Sequence, residues 1–209
     1  MYLVGMAAAW SFGCFRIRQQ SWRGWTCQQF ADLIFYCALG VVIGGRLGYL
    51  LFYGWARLSQ DPWFLFRLWE GGMSFHGGFL GVLIAAGIYG KQHHRSFVAI
   101  MDFIAPLAPL GLLFGRLGNF INGELWGKPT EMPWGMIFPN GGMISRHPTQ
   151  LYELFLEGLV MFLILWIYSY RERPRYAVSG LFLMSYGCFR SLIEFWRIPD
   201  EQLGYLAWD

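Results

Sequence analysis

Long apolar runs separated by short polar clusters set the pattern of this chain. Met1 to Phe15 carries no charge and is followed by Arg16, Arg18 and Arg23. Phe30 to Trp55 contains only Asp32 and Arg46, and Gly71 to Gly90 has no Asp, Glu, Lys or Arg before Lys91, His93, His94 and Arg95. Phe103 to Gly115 is uncharged, as are Gly158 to Tyr170 and Tyr176 to Phe189; Arg171, Glu172, Arg173 and Arg175 lie between the last two. A helix needs about 20 apolar residues to cross a bilayer core of roughly 30 Å. The pattern therefore predicts spans near 29–54, 73–90, 97–117, 150–170 and 176–196, with a shorter run at 1–15. The 1–15 run has neither a basic leader nor a small-residue cleavage site, so it does not read as a signal peptide. It reads as the later part of a first helix that begins before Met1. The chain also stops soon after Asp200, so it is expected to lack a last helix as well.

Basic residues in short loops set orientation. Alternate loops hold Arg16, Arg18 and Arg23, then Lys91 and Arg95, then Arg171, Arg173 and Arg175: eight of the sixteen basic residues, with one acid among them. These loops are expected on the cytoplasmic side. The loops near 55–72, 118–149 and 198–209 carry most of the acids and are expected to face outward.

Composition narrows the class without changing this picture. The chain has 209 residues, 56% hydrophobic and 14% charged, where a soluble domain has about 25% charged. Disorder requires the opposite balance, and four cysteines are too few for a disulfide scaffold. A net charge of +3 gives no reason to invoke nucleic acid. The expectation is an all-α, polytopic transmembrane helix bundle forming one domain over 1–209, with a small outward-facing head region at about 118–149.

Three arginines lie inside apolar sequence: Arg46 in Gly-Gly-Arg-Leu-Gly, Arg116 in Gly-Arg-Leu-Gly-Asn, and Arg190 after Gly187-Cys188-Phe189. Each costs about 2.5–3.5 kcal/mol or more to place in a span, so such residues face a protein interior or an aqueous cavity. A single one could be a snorkelling side chain or a structural ion pair. Three expected near the same outward side point to a cationic cavity suited to an anionic lipid headgroup, because the guanidinium fork binds phosphate in a bidentate way.

Gly115 to Gly127 is the densest polar stretch, with Arg116, Asn119, Asn122, Glu124 and four glycines in 13 residues. Asn119 and Asn122 share a face on a helical end. A capped helix terminus is the plainer reading, but capping does not require Arg and Glu as well. His76 sits between two Gly-Gly pairs where a loop enters a span; it is either a hydrogen-bonded structural residue or a proton acceptor. His147 is a second candidate, although Pro148 reads as the first residue of a helix there. Arg190, Glu194 and Arg197 share one helix face and can form a ladder, with Glu194 holding Arg190. The spacing of Gly40, Gly44 and Gly48 marks a close helix contact. The sequence has no metal-ligand spacing, no CxxC pair and no nucleotide or cofactor fingerprint.

With these residues in view, Gly115 to Gly127 resembles the signature of the bacterial phosphatidylglycerol–prolipoprotein diacylglyceryl transferases. The resemblance extends in order through Gly44–Tyr49, Trp69–Gly78, Asp102–Pro106, Arg146–Glu153 and Arg190–Arg197, nearly the whole chain. It implies transfer of the diacylglyceryl group of phosphatidylglycerol to the lipobox cysteine thiol of a preprolipoprotein. A thioether forms and glycerol phosphate leaves, at the outer face of the bacterial inner membrane. It further implies that Arg116 and Arg190 bind the headgroup phosphate and that His76 acts as general base. Asn119, Asn122, Glu124 and Gly127 would shape the substrate site, with Arg46 as a further substrate ligand and Glu194 supporting Arg190. The partners implied are phosphatidylglycerol, the preprolipoprotein signal peptide and the lipid bilayer. Members of the family have a complete first helix, a last helix and a longer outward head than the stretch from Gly127 to Arg146 provides here.

Two readings compete. A lipid transporter or flippase would line a path with intramembrane arginines, but paired broken helices in two halves are expected there. Only the repeated Gly-Arg-Leu-Gly at Arg46 and Arg116 hints at such symmetry. A structural membrane subunit would not need the polar 13-residue stretch.

Overall fold

The computed structural model describes residues 1–198, and all regular elements among them are helical. The helices are α1 (Tyr2–Gln19), α2 (Cys27–Phe52), α3 (Trp55–Gln60), α4 (Phe75–Gln92), α5 (Phe97–Ile104), α6 (Ala108–Asn122), α7 (Thr149–Tyr168) and α8 (Ala177–Glu194). Apart from the short α3, which forms inside the expected 55–72 loop, they lie where the apolar runs place them; α1 runs on past Phe15 through Arg16 and Arg18, which the charge pattern assigns to a loop, because nothing in Arg16–Gln19 breaks a helix. At about 1.5 Å per residue, the 26 residues of α2 reach roughly 39 Å. Among the described residues, α2 and α7 are each long and apolar enough to cross a membrane, and the bent α5–α6 pair makes a third.

One expected span divides. The 97–117 run forms two helices that meet at 48°, not one. Pro106 cannot donate a backbone hydrogen bond and disfavours helical geometry at Ala105 before it, so α5 ends at Ile104. The chain restarts at Ala108 and continues to Asn122, further than the charge pattern indicated. Residues 199–209, including the outward loop expected near 198–209, lie outside the described residues.

The chain forms two compact units, one of Cys14–Ile100 and the other of Met1–Gly13 with Met101 onward. In the first, α2 starts on a capping box: Thr26 Oγ1 accepts from Gln29 N, and Gln29 Oε1 accepts from Thr26 N. Ser74 Oγ likewise accepts from Gly77 N at the start of α4. The two helices touch along the expected glycine seam. A Cβ on Gly81 would land on the Gly40 carbonyl, one on Gly44 on the Gly77 carbonyl, and one on Gly48 within 2.8 Å of Gly77 Cα. Small residues let backbones approach where no hydrophobic effect drives helices together in lipid. At the other end of α4, buried Tyr89 donates to Gln29 O at 2.8 Å, and Arg95 lies 4.1 Å above the Trp25 ring.

In the second unit, residues 1–13 of α1 pack by Phe12 on Phe162 and Trp166 of α7, edge to face at 5.2 and 5.6 Å. Asp102 of α5, 7% exposed, caps α8 from outside it. Its carboxylate accepts from Tyr176 N and Ser179 N, both at 2.9 Å, and from Ser179 Oγ at 2.6 Å. A negative charge at a helix N-terminus satisfies orphan amides and complements the dipole. The cap fixes α8, and with it the positions of Arg190 and Arg197. Helix α7 contains a π segment at Leu154–Val160. Within it Gly158 lies against α6, where a Cβ would come 2.7 Å from Leu113 Cβ.

The seam makes a direct prediction. Gly81→Ala forces α2 and α4 apart and lowers stability by about 1–3 kcal/mol, the usual cost of overpacking. Gly87→Ala, on the same helix with nothing within 4 Å, is neutral or gains up to about 1 kcal/mol. Thermal unfolding in detergent distinguishes the two. Equal midpoints would contradict the seam.

Candidate functional site

Glu153, in the first turn of α7, is 1% exposed. An ionised carboxylate in such a place requires partners, and three arginines supply them. Arg116 Nε, from α6, lies 3.1 Å from Glu153 Oε2. Arg190 Nη1, from α8, donates to Oε1 at 3.0 Å. Arg197 Nη1, just past the end of α8, reaches the same oxygen at 3.4 Å. Glu194, half exposed and one turn beyond Arg190, accepts from its Nη2 at 3.0 Å, as the i,i+4 spacing anticipates. One turn deeper in α7, fully buried Glu157 lies 3.9 Å from Arg116 Nη2. The π segment begins between these two acids, and such segments are frequent at functional sites.

The cluster is not sealed. The side chains of Arg116 and Arg190 keep 18% and 28% of their surface. Arg116 uses Nε and Nη2, and Arg190 uses Nη1 and Nη2, on carboxylates. Each retains N–H groups with no protein partner among the described residues, which is what an incoming anion requires.

The polar stretch that follows Arg116 wraps onto the start of α7. Helix α6 closes with a Schellman turn: Gly123, at φ 66°, donates to Phe120 O, and Glu124 N donates to Asn119 O. Gln150 Nε2 then donates to Glu124 O at 2.5 Å, and Thr149 Oγ1 to Leu125 O at 3.0 Å. Between them Leu125 takes φ 56°, a left-handed conformation uncommon for a branched side chain. Gly127 is buried, and a Cβ there would come 2.6 Å from Thr149 Cγ2 and against the Trp196 carbonyl. Asn119 is half-buried, Asn122 and Glu124 are exposed, and their side chains make no hydrogen bond among the described residues. The helix of Thr149 begins one residue after the position expected from Pro148, which is its N-cap. His147 Nδ1 lies 3.1 Å from Tyr152 Oη, which also accepts from Trp134 Nε1 at 2.8 Å. His147 is therefore tied into an aromatic group with Tyr152 and Trp196.

Arg46 and His76 belong to the other unit. Arg46, 2% exposed, projects from α2 into a cage of backbone carbonyls. Its Nε donates to Leu65 O at 3.1 Å, Nη1 to Gly71 O at 2.5 Å and Gly72 O at 3.2 Å, and Nη2 to Arg67 O at 3.0 Å and to Phe64 O. The Phe64 ring stacks beneath it at 4.4 Å. All five N–H groups are taken by backbone carbonyls. The arginine thereby ties the loop from Phe64 to Gly72 to α2. His76 stands exposed in the first turn of α4, edge-on to Phe75, with no hydrogen-bond partner among the described residues.

Sequence reasoning identified Arg116, Arg190 and Glu194 but passed over Glu153 and Glu157. The signal was present: two carboxylates four residues apart at the head of an apolar run, on one helix face.

Cations gathered on buried acids within a membrane-spanning helical chain define a class: a polytopic membrane protein with an arginine-lined polar site. The chain belongs to the prolipoprotein diacylglyceryl transferase family, whose model matches residues 1–208. It is 57% identical over 207 residues to the phosphatidylglycerol–prolipoprotein diacylglyceryl transferase of Methylococcus capsulatus, covering 99% of this chain and 79% of that protein. The like-named protein of Coxiella burnetii is 55% identical with the same coverage. That of Pseudomonas aeruginosa is 53% identical over 208 residues, covering 100% of this chain and 78% of the relative.

Removing the shared carboxylate exposes its importance. Glu153→Ala leaves three arginines facing one another and costs about 3–5 kcal/mol, the usual result of breaking a buried pair from one side. Glu194→Ala, at the solvent edge, costs less than about 1 kcal/mol. Thermal unfolding of both variants in the same detergent checks the order; a Glu194 variant as damaged as the Glu153 variant contradicts it.

Proposed function

We propose that this chain transfers the diacylglyceryl group of phosphatidylglycerol to the lipobox cysteine thiol of a preprolipoprotein, at the outer face of the bacterial inner membrane. The observation that carries this reading is the pair of partly exposed arginines, each held by Glu153 and each with N–H groups still unused. Membership in a family whose relatives are named for this reaction supports it.

In this reading Arg116 and Arg190 hold the phosphodiester of the lipid headgroup. The thiol sulfur attacks the glycerol carbon bonded to the phosphate ester oxygen. A C–S bond forms, the C–O bond breaks, and the electron pair leaves with glycerol phosphate. Two fixed guanidinium groups meet the charge that grows on the leaving phosphate, which stabilises the transition state more than the ground state. The thiol proton passes to His76, whose exposed ring has both nitrogens available. Asn119, Asn122 and Glu124 present unpaired polar groups for orienting substrate. Gly127 contributes by lacking a side chain, which lets the segment after Glu124 close on Thr149 and Trp196. Arg46 acts at a distance by fixing the loop that leads into the His76 turn.

The test is direct. The membrane-inserted protein is incubated with phosphatidylglycerol and a lipobox peptide, and the peptide is weighed by mass spectrometry. A diacylglyceryl adduct on the cysteine is expected, falling at least about 10²-fold in Arg116→Ala and in Arg190→Ala. His76→Gln is expected to slow the reaction by about 10²–10⁴-fold and to alter its pH–rate profile. No adduct, or an undiminished one from Arg116→Ala, overturns the assignment. Movement of lipid across vesicles without any adduct would favour a flippase. An unaltered profile in His76→Gln removes its role as base.

A further inference from the structure

Glu157 has no part in the mechanism above, yet it lies where a charge is hardest to keep. It is fully buried, and neither carboxylate oxygen has a hydrogen-bond donor. Its one ion pair among the described residues, to Arg116 Nη2, is 3.9 Å long, whereas Glu153 holds its arginines at 3.0 to 3.4 Å. The charged and titratable groups around it are Glu153 on its own helix, Arg116 from α6, and Tyr186, Arg190 and Arg197 on or just beyond α8.

Among the described residues, three arginines face three carboxylates here: Glu153, Glu157 and Glu194. With all six ionised the cluster is neutral, and an entering phosphodiester adds one uncompensated negative charge in a poorly solvated place. Glu153 cannot yield, because it anchors all three arginines. Glu194 is half exposed and already screened. Glu157 is the member whose charge is least supported: its ion pair is the longest of the group and neither oxygen has a hydrogen-bond donor among the described residues. We propose that Glu157 is a positioning residue that takes up one proton from solvent as the phosphodiester docks, releasing Arg116 from its second acid so that the guanidinium can serve the headgroup. When glycerol phosphate departs, the proton is returned and the cluster is neutral again. This rests on the headgroup reading of Arg116 and Arg190.

The linkage has a definite sign. Binding that requires a proton weakens as pH rises, by up to about tenfold in affinity per pH unit. The experiment measures binding of a short-chain phosphatidylglycerol to the detergent-solubilised protein, without peptide, from about pH 6 to about pH 9. The wild type is expected to lose affinity towards alkaline pH. Glu157→Gln, a neutral isostere, is expected to bind with little dependence on pH and more tightly than wild type at the alkaline end. A second measurement needs no variant: calorimetric binding in buffers of different ionisation enthalpy is expected to report uptake approaching one proton per lipid. A pH dependence equal in wild type and Glu157→Gln, or no proton uptake at any pH, overturns this inference while the headgroup reading stands. Absence of phosphatidylglycerol binding by the wild type overturns both.

Discussion

A carboxylate almost wholly removed from water among apolar helices stays charged only if cations close around it. Glu153 meets that condition with Arg116, Arg190 and Arg197, at 3.1, 3.0 and 3.4 Å. The dependence runs both ways. Without Glu153, three guanidinium groups would repel one another at the head of α7. With it, they are held at fixed separations, and Arg116 and Arg190 keep N–H groups with no protein partner among the described residues. Much of the surrounding structure keeps this arrangement in register. Asp102 caps α8, which carries Arg190 and leads directly into Arg197. Gly158 lets α6 and α7 approach closely enough for Arg116 to reach its acids. Gln150 and Thr149 tie the polar stretch after Asn122 to the turn that bears Glu153.

The same constraint accounts for the different fates of the intramembrane arginines. Arg46 meets backbone carbonyls, which take all five of its donors, and the face of Phe64, with no counter-ion among the described residues. Such a residue stabilises a loop. Arg116 and Arg190 meet carboxylates that occupy only some of their donors, so their charge is anchored and their geometry fixed while binding capacity remains. Residue type alone does not separate these roles; the partners do.

Apolar run length and loop charge were enough to place α2, α4, α7 and α8, because a bilayer leaves few alternatives to a hydrogen-bonded helix. The glycine spacing of Gly40, Gly44 and Gly48 anticipated a close helix contact for a similarly simple steric reason, and the structure supplies α4 as its partner. The break at Pro106 was legible in principle, but an uncharged run on both sides hid it. Within the candidate site, Arg116, Arg190 and Glu194 stood out because each is costly in an apolar context. Glu153 and Glu157 were masked by the head-to-span boundary, where acids are ordinary. Their importance arises from helices more than 30 residues apart in sequence meeting at one point, which no local pattern encodes. The carbonyl cage of Arg46 was unreadable for the same reason: its partners are backbone atoms, and any sequence has those.

The central claim is that Glu153 prepares Arg116 and Arg190 to hold an anionic headgroup. A structure of this protein with phosphatidylglycerol bound tests it most directly. The account predicts phosphate oxygens within hydrogen-bond distance of both guanidinium groups while Glu153 still pairs with them. A headgroup bound elsewhere, with the arginines engaged only by their carboxylates, would contradict it.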